Sequence, residues 1–194
     1  MRTERRLNRL ETVLRRRQPD LTVVMENIHD PHNVSAILRS CDAAGVMEVQ
    51  LIYTSADFPD LGKKSSASAK KWVEQRCFES VKECYDKLHE EGYAIYATRL
   101  EEAAKVPYEI DMTKKTAFVV GNEHEGVSLE AAQLADGIVQ IPMFGMIQSL
   151  NVSVATAVIL FEAVRQRIAA GHYAKTRLSD VDVAKLLKEW AMKE

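Results

Sequence analysis

Three stretches of this 194-residue chain concentrate side chains able to do chemistry. In HDPHNVSAILRSCDAAG, residues 29–45, Asn33 falls in the first turn of a predicted helix, where its amide can meet backbone or ligand. Ser35, Arg39 and Asp42 share the face away from the apolar stripe, and the planar guanidinium of Arg39 suits a phosphate or carboxylate. The same spacing equally allows an Arg39–Asp42 surface ion pair of little energetic weight. In VVGNEHEGVS, residues 119–128, a strand runs into Gly121, Glu123, Gly126 and Ser128. The glycines let backbone approach a ligand closely and Ser128 can cap the next helix, though a purely structural turn has the same pattern. In IPMFGMIQSLNVSVA, residues 141–155, Pro142, Gly145 and the methionines make a loop with exposed backbone groups and a soft apolar lining suited to an adenine ring. Ser149 and Asn151 open the helix that follows, whose free N–H groups favour polar or anionic ligands. A plain N-cap at Ser149 accounts for that residue and not for the loop.

Other chemistries are excluded. No GK[ST] follows residues 119–128 and no GxGxxG occurs, so neither a Walker loop nor a dinucleotide fingerprint is present. His29 and His32 lie three apart with no supporting cluster, and no metal is expected. Cys41, Cys77 and Cys84 form no CxxC pair and read as thiols in a reducing compartment. No apolar run approaches the roughly 20 residues that span a membrane. Met1 to Gln18 lacks the apolar core of a secretory signal. A cytoplasmic location is expected.

The elements that must position these stretches follow from periodicity. LTVVME (21–26) and VMEVQLIY (46–53) read as strands, and Asp30 with Pro31 starts a helix that Gly45 ends. That helix carries Val34, Ile37, Leu38, Cys41 and Ala44 on one stripe. Asp57 to Lys71 reads as a polar loop, and Ser80 with Glu83 caps a helix to Glu91. GYAIYATRL, KKTAFVVG and DGIVQIPM add three strands, with a short helix from Ser128 to Ala135 before the last. A helix apolar nearly all round from Val152 to Val164 ends at Gly171, so it is buried on more than one side, by its own sheet or a partner subunit. A last helix spans roughly Ser179 to Met192. Alternating strands and helices predict one mostly parallel α/β sheet with helices on both faces and helical extensions at both ends.

Net charge is −2, but its distribution is uneven. Residues 1–18 hold seven arginines against two glutamates, a net of +5, which leaves −7 on the rest. Leu7, Leu10 and Leu14 make this arm an amphipathic helix. A basic arm on a mildly acidic body suits a polyanion, although a solvated basic helix has the same composition.

Together NVSAILRSCDAAGV, VVGNEHEGVS and IPMFGMIQSLNVSVATAVILFEA resemble, in order and spacing, the motifs of the SpoU (TrmH) family of RNA ribose methyltransferases, in the SPOUT class. RRRQPDLTVVMENIHDPHN before the first motif and FEAVRQRIAAGHY after the third resemble its tRNA-directed members. The resemblance implies a SPOUT fold with a deep C-terminal trefoil knot (about 118–165), although knots are otherwise essentially absent from proteins. It divides the chain into a basic arm (1–18), a methyltransferase domain (19–172) and a helical extension (173–194). It also implies a homodimer with S-adenosylmethionine bound in the knot at the subunit interface. Carried over by motif, Asn33, Arg39, Glu123, Ser149 and Asn151 are the catalytic set, and Thr98, Gly121, Ile141 and Leu150 line the cofactor pocket. One departure is Ser68 in SSASAKKW, where relatives often have glycine.

The implied reaction is transfer of a methyl group to a ribose 2′-oxygen, with guanosine 18 of the tRNA D-loop as the expected target. Competing readings are an rRNA substrate, against which the basic arm and lack of a further N-terminal RNA-binding domain count, and a non-catalytic RNA-binding protein of the same fold. Phosphate contacts are expected from Arg6, Arg9 and Arg17 on the arm and from Arg165 and Arg167 beyond the knot.

Overall fold

The computed structural model describes residues 3–54, 58–59, 69–122 and 124–193. Six strands, β1 (Leu21–Glu26), β2 (Glu48–Ile52), β3 (Glu74–Phe78), β4 (Ala94–Thr98), β5 (Thr116–Val120) and β6 (Gly137–Val139), form one sheet in the order β3-β2-β1-β5-β4-β6. Every pairing is parallel. The central strands are near-continuous apolar runs because both of their faces are covered. Helices α2 (Pro31–Ala44) and α5 (Val152–Ala169) bury one face, taking Leu21, Val23 and Met25 of β1 with Phe118 and Val120 of β5. Helices α3 (Val81–Glu90) and α4 (Leu129–Leu134) cover the other, over Val24, Ile95, Ala97, Ala117 and Val119. The strand order, with β5 inserted between β1 and β4, is consistent with the knotted topology of the resemblance.

The predicted helix punctuation holds. Asp30 accepts from the His32 N–H with Pro31 in the first turn, and Gly45 ends α2 at φ +80°. A side chain at Gly45 would lie 2.9 Å from the Arg16 carbonyl oxygen, so the site requires glycine on two grounds. Ser80 caps α3 through the Glu83 N–H, and Ser128 caps α4 through the Ala131 N–H.

Strand β3 was not predicted. EQRCF opens with three polar residues and buries only Phe78, as an edge strand can, with Glu74 and Cys77 exposed. The loop predicted over Asp57–Lys71, Ser68 included, lies largely outside the described residues; its end, Ala69–Lys71, is a 3₁₀ turn.

The basic arm forms helix α1 (Glu4–Leu14), and its apolar edge packs on helix α6 (Asp180–Met192) through Leu10, Leu14, Val183 and Trp190. Trp72 packs against Trp190 with ring centres 5.0 Å apart and planes tilted by 52°, joining this pair of helices to the segment before β3.

Candidate active site

In an open parallel sheet, ligands bind beyond the carboxyl ends of the strands. Three of the four predicted pocket residues lie there. Thr98 ends β4, Gly121 follows β5 and Ile141 follows β6, and these three strands are adjacent. The Thr98 hydroxyl donates to the Val119 carbonyl at 2.8 Å, which locks the ends of β4 and β5 together. Gly121 is buried, and a Cβ there would fall 2.0 Å from the Gly126 carbonyl oxygen, so the loop closes on itself only with glycine. Ile141 packs against the main core and Leu150 is half-buried.

The loop between β5 and α4 has a fixed internal shape. The Asn122 side-chain oxygen accepts from the N–H groups of His124 and Glu125, and the Gly126 N–H donates to the Asn122 carbonyl. Glu123, predicted as part of the catalytic set, lies outside the described residues.

The first and third motifs meet. Asn33, almost wholly buried in the first turn of α2, accepts at Oδ1 from Nδ2 of Asn151 at 3.0 Å. Asn151 is the N-cap of α5 and accepts through its own Oδ1 from the Ser153 N–H and hydroxyl. Ser149 is exposed and does not cap the helix. Arg39 lies six residues beyond Asn33, about 9 Å along the helix axis. It is exposed, and among the described residues it forms no ion pair. Asp42, its alternative partner, is instead held at 2.5 Å by Arg17. The Arg39–Asp42 reading therefore falls away, and among the described residues no ion pair holds the Arg39 guanidinium.

Two predicted phosphate contacts are corrected. Arg17 has no exposed surface; it donates to Val46 O at 2.9 Å, Trp72 O at 3.2 Å and Asp42, and stacks 5.0 Å from the Trp190 ring centre. Burial lowers its pKa, and Asp42 works against that shift. Arg167 is equally buried, and its donors are met by Met112 O, Gln18 Oε1, Asp20 Oδ1, Asp20 O and Lys114 O, the full complement of five for a guanidinium. Neither side chain can reach a phosphate. The signal was in the spacing, since Arg167 continues the buried row of Ile159 and Ala163 at intervals of four. Burial alone would raise the Asp20 carboxyl, but Arg167 and Arg177 outweigh it and hold it below its ordinary value. Of the remaining arginines, Arg9 is exposed, Arg165 is exposed beside Glu162, and Arg6 is half-buried and donates to the Lys193 carbonyl.

Among the described residues no group of three or more His, Cys, Asp or Glu side chains could hold a metal. No described helix is long and apolar enough to cross a membrane.

The fold and site define a parallel α/β protein in which Thr98, Gly121 and Ile141 lie at adjacent strand ends, Asn151 bonds Asn33, and Arg39 is exposed further along α2. A model of the SpoU rRNA Methylase family matches residues 20–161. The chain belongs to the SpoU methylase family. It is 52% identical over 192 residues to a tRNA (guanosine(18)-2′-O)-methyltransferase of Thermus thermophilus, covering 99% of this chain and 98% of that one. The crystal structure of the A. aeolicus TrmH/SpoU tRNA modifying enzyme superposes with a TM-score of 0.91 at 41% identity, over 97% of this chain and 95% of that one. The SpoU methyltransferase AviRb from Streptomyces viridochromogenes, in complex with AdoMet, matches with a TM-score of 0.71 at 29% identity, over 79% and 62% of the two chains.

Proposed function

We propose that this chain methylates the 2′-oxygen of guanosine 18 in tRNA, with S-adenosylmethionine as donor. The observation that carries the reading is the Asn33–Asn151 bond, which ties the helix bearing an exposed Arg39 to the start of α5, at the strand ends that bear Thr98, Gly121 and Ile141. A near full-length match to a relative acting on that nucleotide supports the target.

The pocket fits a nucleoside held largely by main chain. Gly121, Ile141 and Leu150 have no polar side-chain atoms, so hydrogen bonds to a base or ribose there must come from their peptide groups, while Ile141 and Leu150 supply apolar contact. Bound there, S-adenosylmethionine supplies an electrophilic methyl group. The acceptor oxygen must lie in line with the bond that breaks, so the protein's main task is positioning. A ribose hydroxyl is a weak nucleophile and needs its proton held or removed. A guanidinium carries its proton at neutral pH and is a poor base. Arg39 instead holds the phosphate and ribose, with the phosphate or a transiently neutral guanidine taking the proton. Ser149 and Glu123 complete the set by their place in the motifs.

The same reading includes a homodimer. Val154, Val158, Phe161 and Ile168 expose apolar surface along one side of α5, and Phe144 and Met146 on the loop before it are 96% and 100% exposed. Apolar surface on that scale marks an association site. The chain divides into arm (1–18), methyltransferase domain (19–172) and extension (173–194), with Arg6, Arg9 and Arg165 meeting phosphates. The same reading takes the protein to act in the cytoplasm, on tRNA there.

The test is incubation with unmodified tRNA transcript and methyl-labelled S-adenosylmethionine, followed by mapping of the labelled nucleotide. Label on the 2′-oxygen of guanosine 18 is expected. Label on rRNA alone would change the target, and RNA binding without label would replace the reading with a non-catalytic one.

A further inference from the structure

The peptide group joining Val127 to Ser128 is held at both ends by side chains from the two strands that flank β5. Glu26, the last residue of β1 and 4% exposed, accepts the Ser128 N–H at Oε2 at 2.9 Å. Arg99, immediately after β4, donates from Nη1 to the Val127 carbonyl at 2.8 Å. An acid on the N–H and a guanidinium on the C=O both complement the dipole of that one peptide unit. Because β1 and β4 are the neighbours of β5 in the sheet, they reach the loop that leaves β5 from its two sides.

We infer that Glu26 and Arg99 are positioning residues that set the loop from Gly121 to Ser128 against the cofactor crevice. Asn122 bonds to the His124 and Glu125 N–H groups and Gly121 approaches Gly126 closely, so the placement of these residues depends on how the two ends of the loop are fixed. One end is β5 itself. The other is the clamped peptide, after which Ser128 caps α4. Alpha-helical capping alone needs neither Glu26 nor Arg99, since the Ser128 hydroxyl serves the Ala131 N–H. Arg99 also follows Thr98, so the clamp and the expected pocket share the end of β4. Arg99 is further oriented by Glu101, 3.1 Å from its Nε. The loop carries Glu123 and begins at Gly121, and a loop displaced by an ångström would cost both cofactor affinity and alignment.

This inference rests on the proposed cofactor site, and its test separates the two. S-adenosylmethionine binding is measured by calorimetry without RNA in wild type, Glu26→Ala, Glu26→Gln and Arg99→Met, together with amide hydrogen exchange over residues 121–128. Glu26→Ala and Arg99→Met are expected to weaken binding at least tenfold and to speed exchange of the Ser128 amide. Glu26→Gln retains an acceptor oxygen and is expected to stay within about threefold of wild type, a rescue that a general loss of stability would not show. Wild-type affinity in Arg99→Met, or equal loss in Glu26→Gln and Glu26→Ala, would overturn the inference. Should Glu26→Ala not fold, Arg99→Met and Glu26→Gln decide the matter. Wild type that binds no cofactor would overturn the site itself, and exchange at Ser128 would still read the clamp.

Discussion

Nδ2 of Asn151 donates to Oδ1 of Asn33 at 3.0 Å, although the two residues are 118 apart in the chain. One opens α2 and the other caps α5, so a single amide pair fixes the start of both helices. Asn33 is buried, and losing Asn151 removes the Nδ2 donor from its Oδ1.

The pair is therefore expected to act as a unit. Asn33→Ala and Asn151→Ala should each lower kcat/KM by on the order of 100-fold through misplacement of the reacting groups. The double variant should lose little more than either single one, with a coupling energy of about 0.5–3 kcal/mol. Steady-state methylation kinetics on all four proteins check this, and fully additive losses would refute it.

Arg39 is exposed and Asp42 is taken by Arg17, so the guanidinium is held by no intramolecular ion pair among the described residues. Arg39→Lys keeps the charge and loses the planar fork. A fall in kcat of about 10²-fold, the size typical of losing a positioned catalytic group, is expected with the melting temperature unchanged. Near-full activity would remove Arg39 from the mechanism.

Legibility followed the physics of each residue. Helix ends were readable because Asp30, Pro31, Gly45, Ser80 and Ser128 act on local backbone. The Asn33–Asn151 contact was not readable from spacing, since it depends on where α5 returns to the sheet; the motif resemblance named both residues without joining them. Charge suggests solvent for Arg17 and Arg167, whereas Arg167 finds acceptors for all five donors and the terminal nitrogens of Arg17 find carbonyls and the Asp42 carboxylate, its Nε being left without a partner among the described residues. Strand β3 escaped because edge strands do not need an apolar face on both sides. The Glu26–Arg99 clamp is visible only once β1 and β4 are known to flank β5.

The arginines should separate into two groups. Arg167→Met leaves Asp20 with Arg177 alone and takes the donor from several carbonyls, and should cost about 3–5 kcal/mol of stability by denaturant unfolding. Arg9→Ala and Arg165→Ala should alter stability by less than about 0.5 kcal/mol. Each of these two should instead reduce the slope of log affinity for tRNA against log salt by about one. An unchanged salt slope in both would make the arm merely structural.

Asp20 sets a pH dependence whose sign is fixed. Its folded-state pKa is depressed by Arg167 and Arg177 despite burial, so the stability it contributes is complete above its unfolded pKa of about 3.9 and is lost as pH falls through the lower folded value. Urea midpoints should therefore fall on acidification below about pH 4, where the unfolded carboxyl gains its proton first. Asp20→Asn should be less stable near neutrality, because Arg167 loses its buried partner, and should show a shallower acid slope. Parallel slopes in the two proteins would remove Asp20 as the source.

The last prediction concerns α5, whose two sides differ in what covers them. Thr156, Ile159, Leu160 and Ala163 are buried within the chain, while Val154, Val158, Phe161 and Ile168 face outward with 42–62% of their surface open. A soluble monomer has no use for four apolar residues aligned over that length, whereas a second copy of α5 would bury them symmetrically. Phe161→Glu replaces an outward apolar residue with a good helix former, so the helix itself should survive. Burying two such carboxylates against each other would oppose association strongly. Sedimentation velocity at micromolar concentration is expected to find wild type dimeric and Phe161→Glu monomeric, with circular dichroism unchanged. If the cofactor pocket lies at the interface, cofactor affinity falls together with the dimer. A monomeric variant with undiminished affinity would place the pocket within one chain, and a monomeric wild type would leave the outward stripe of α5 to a different partner.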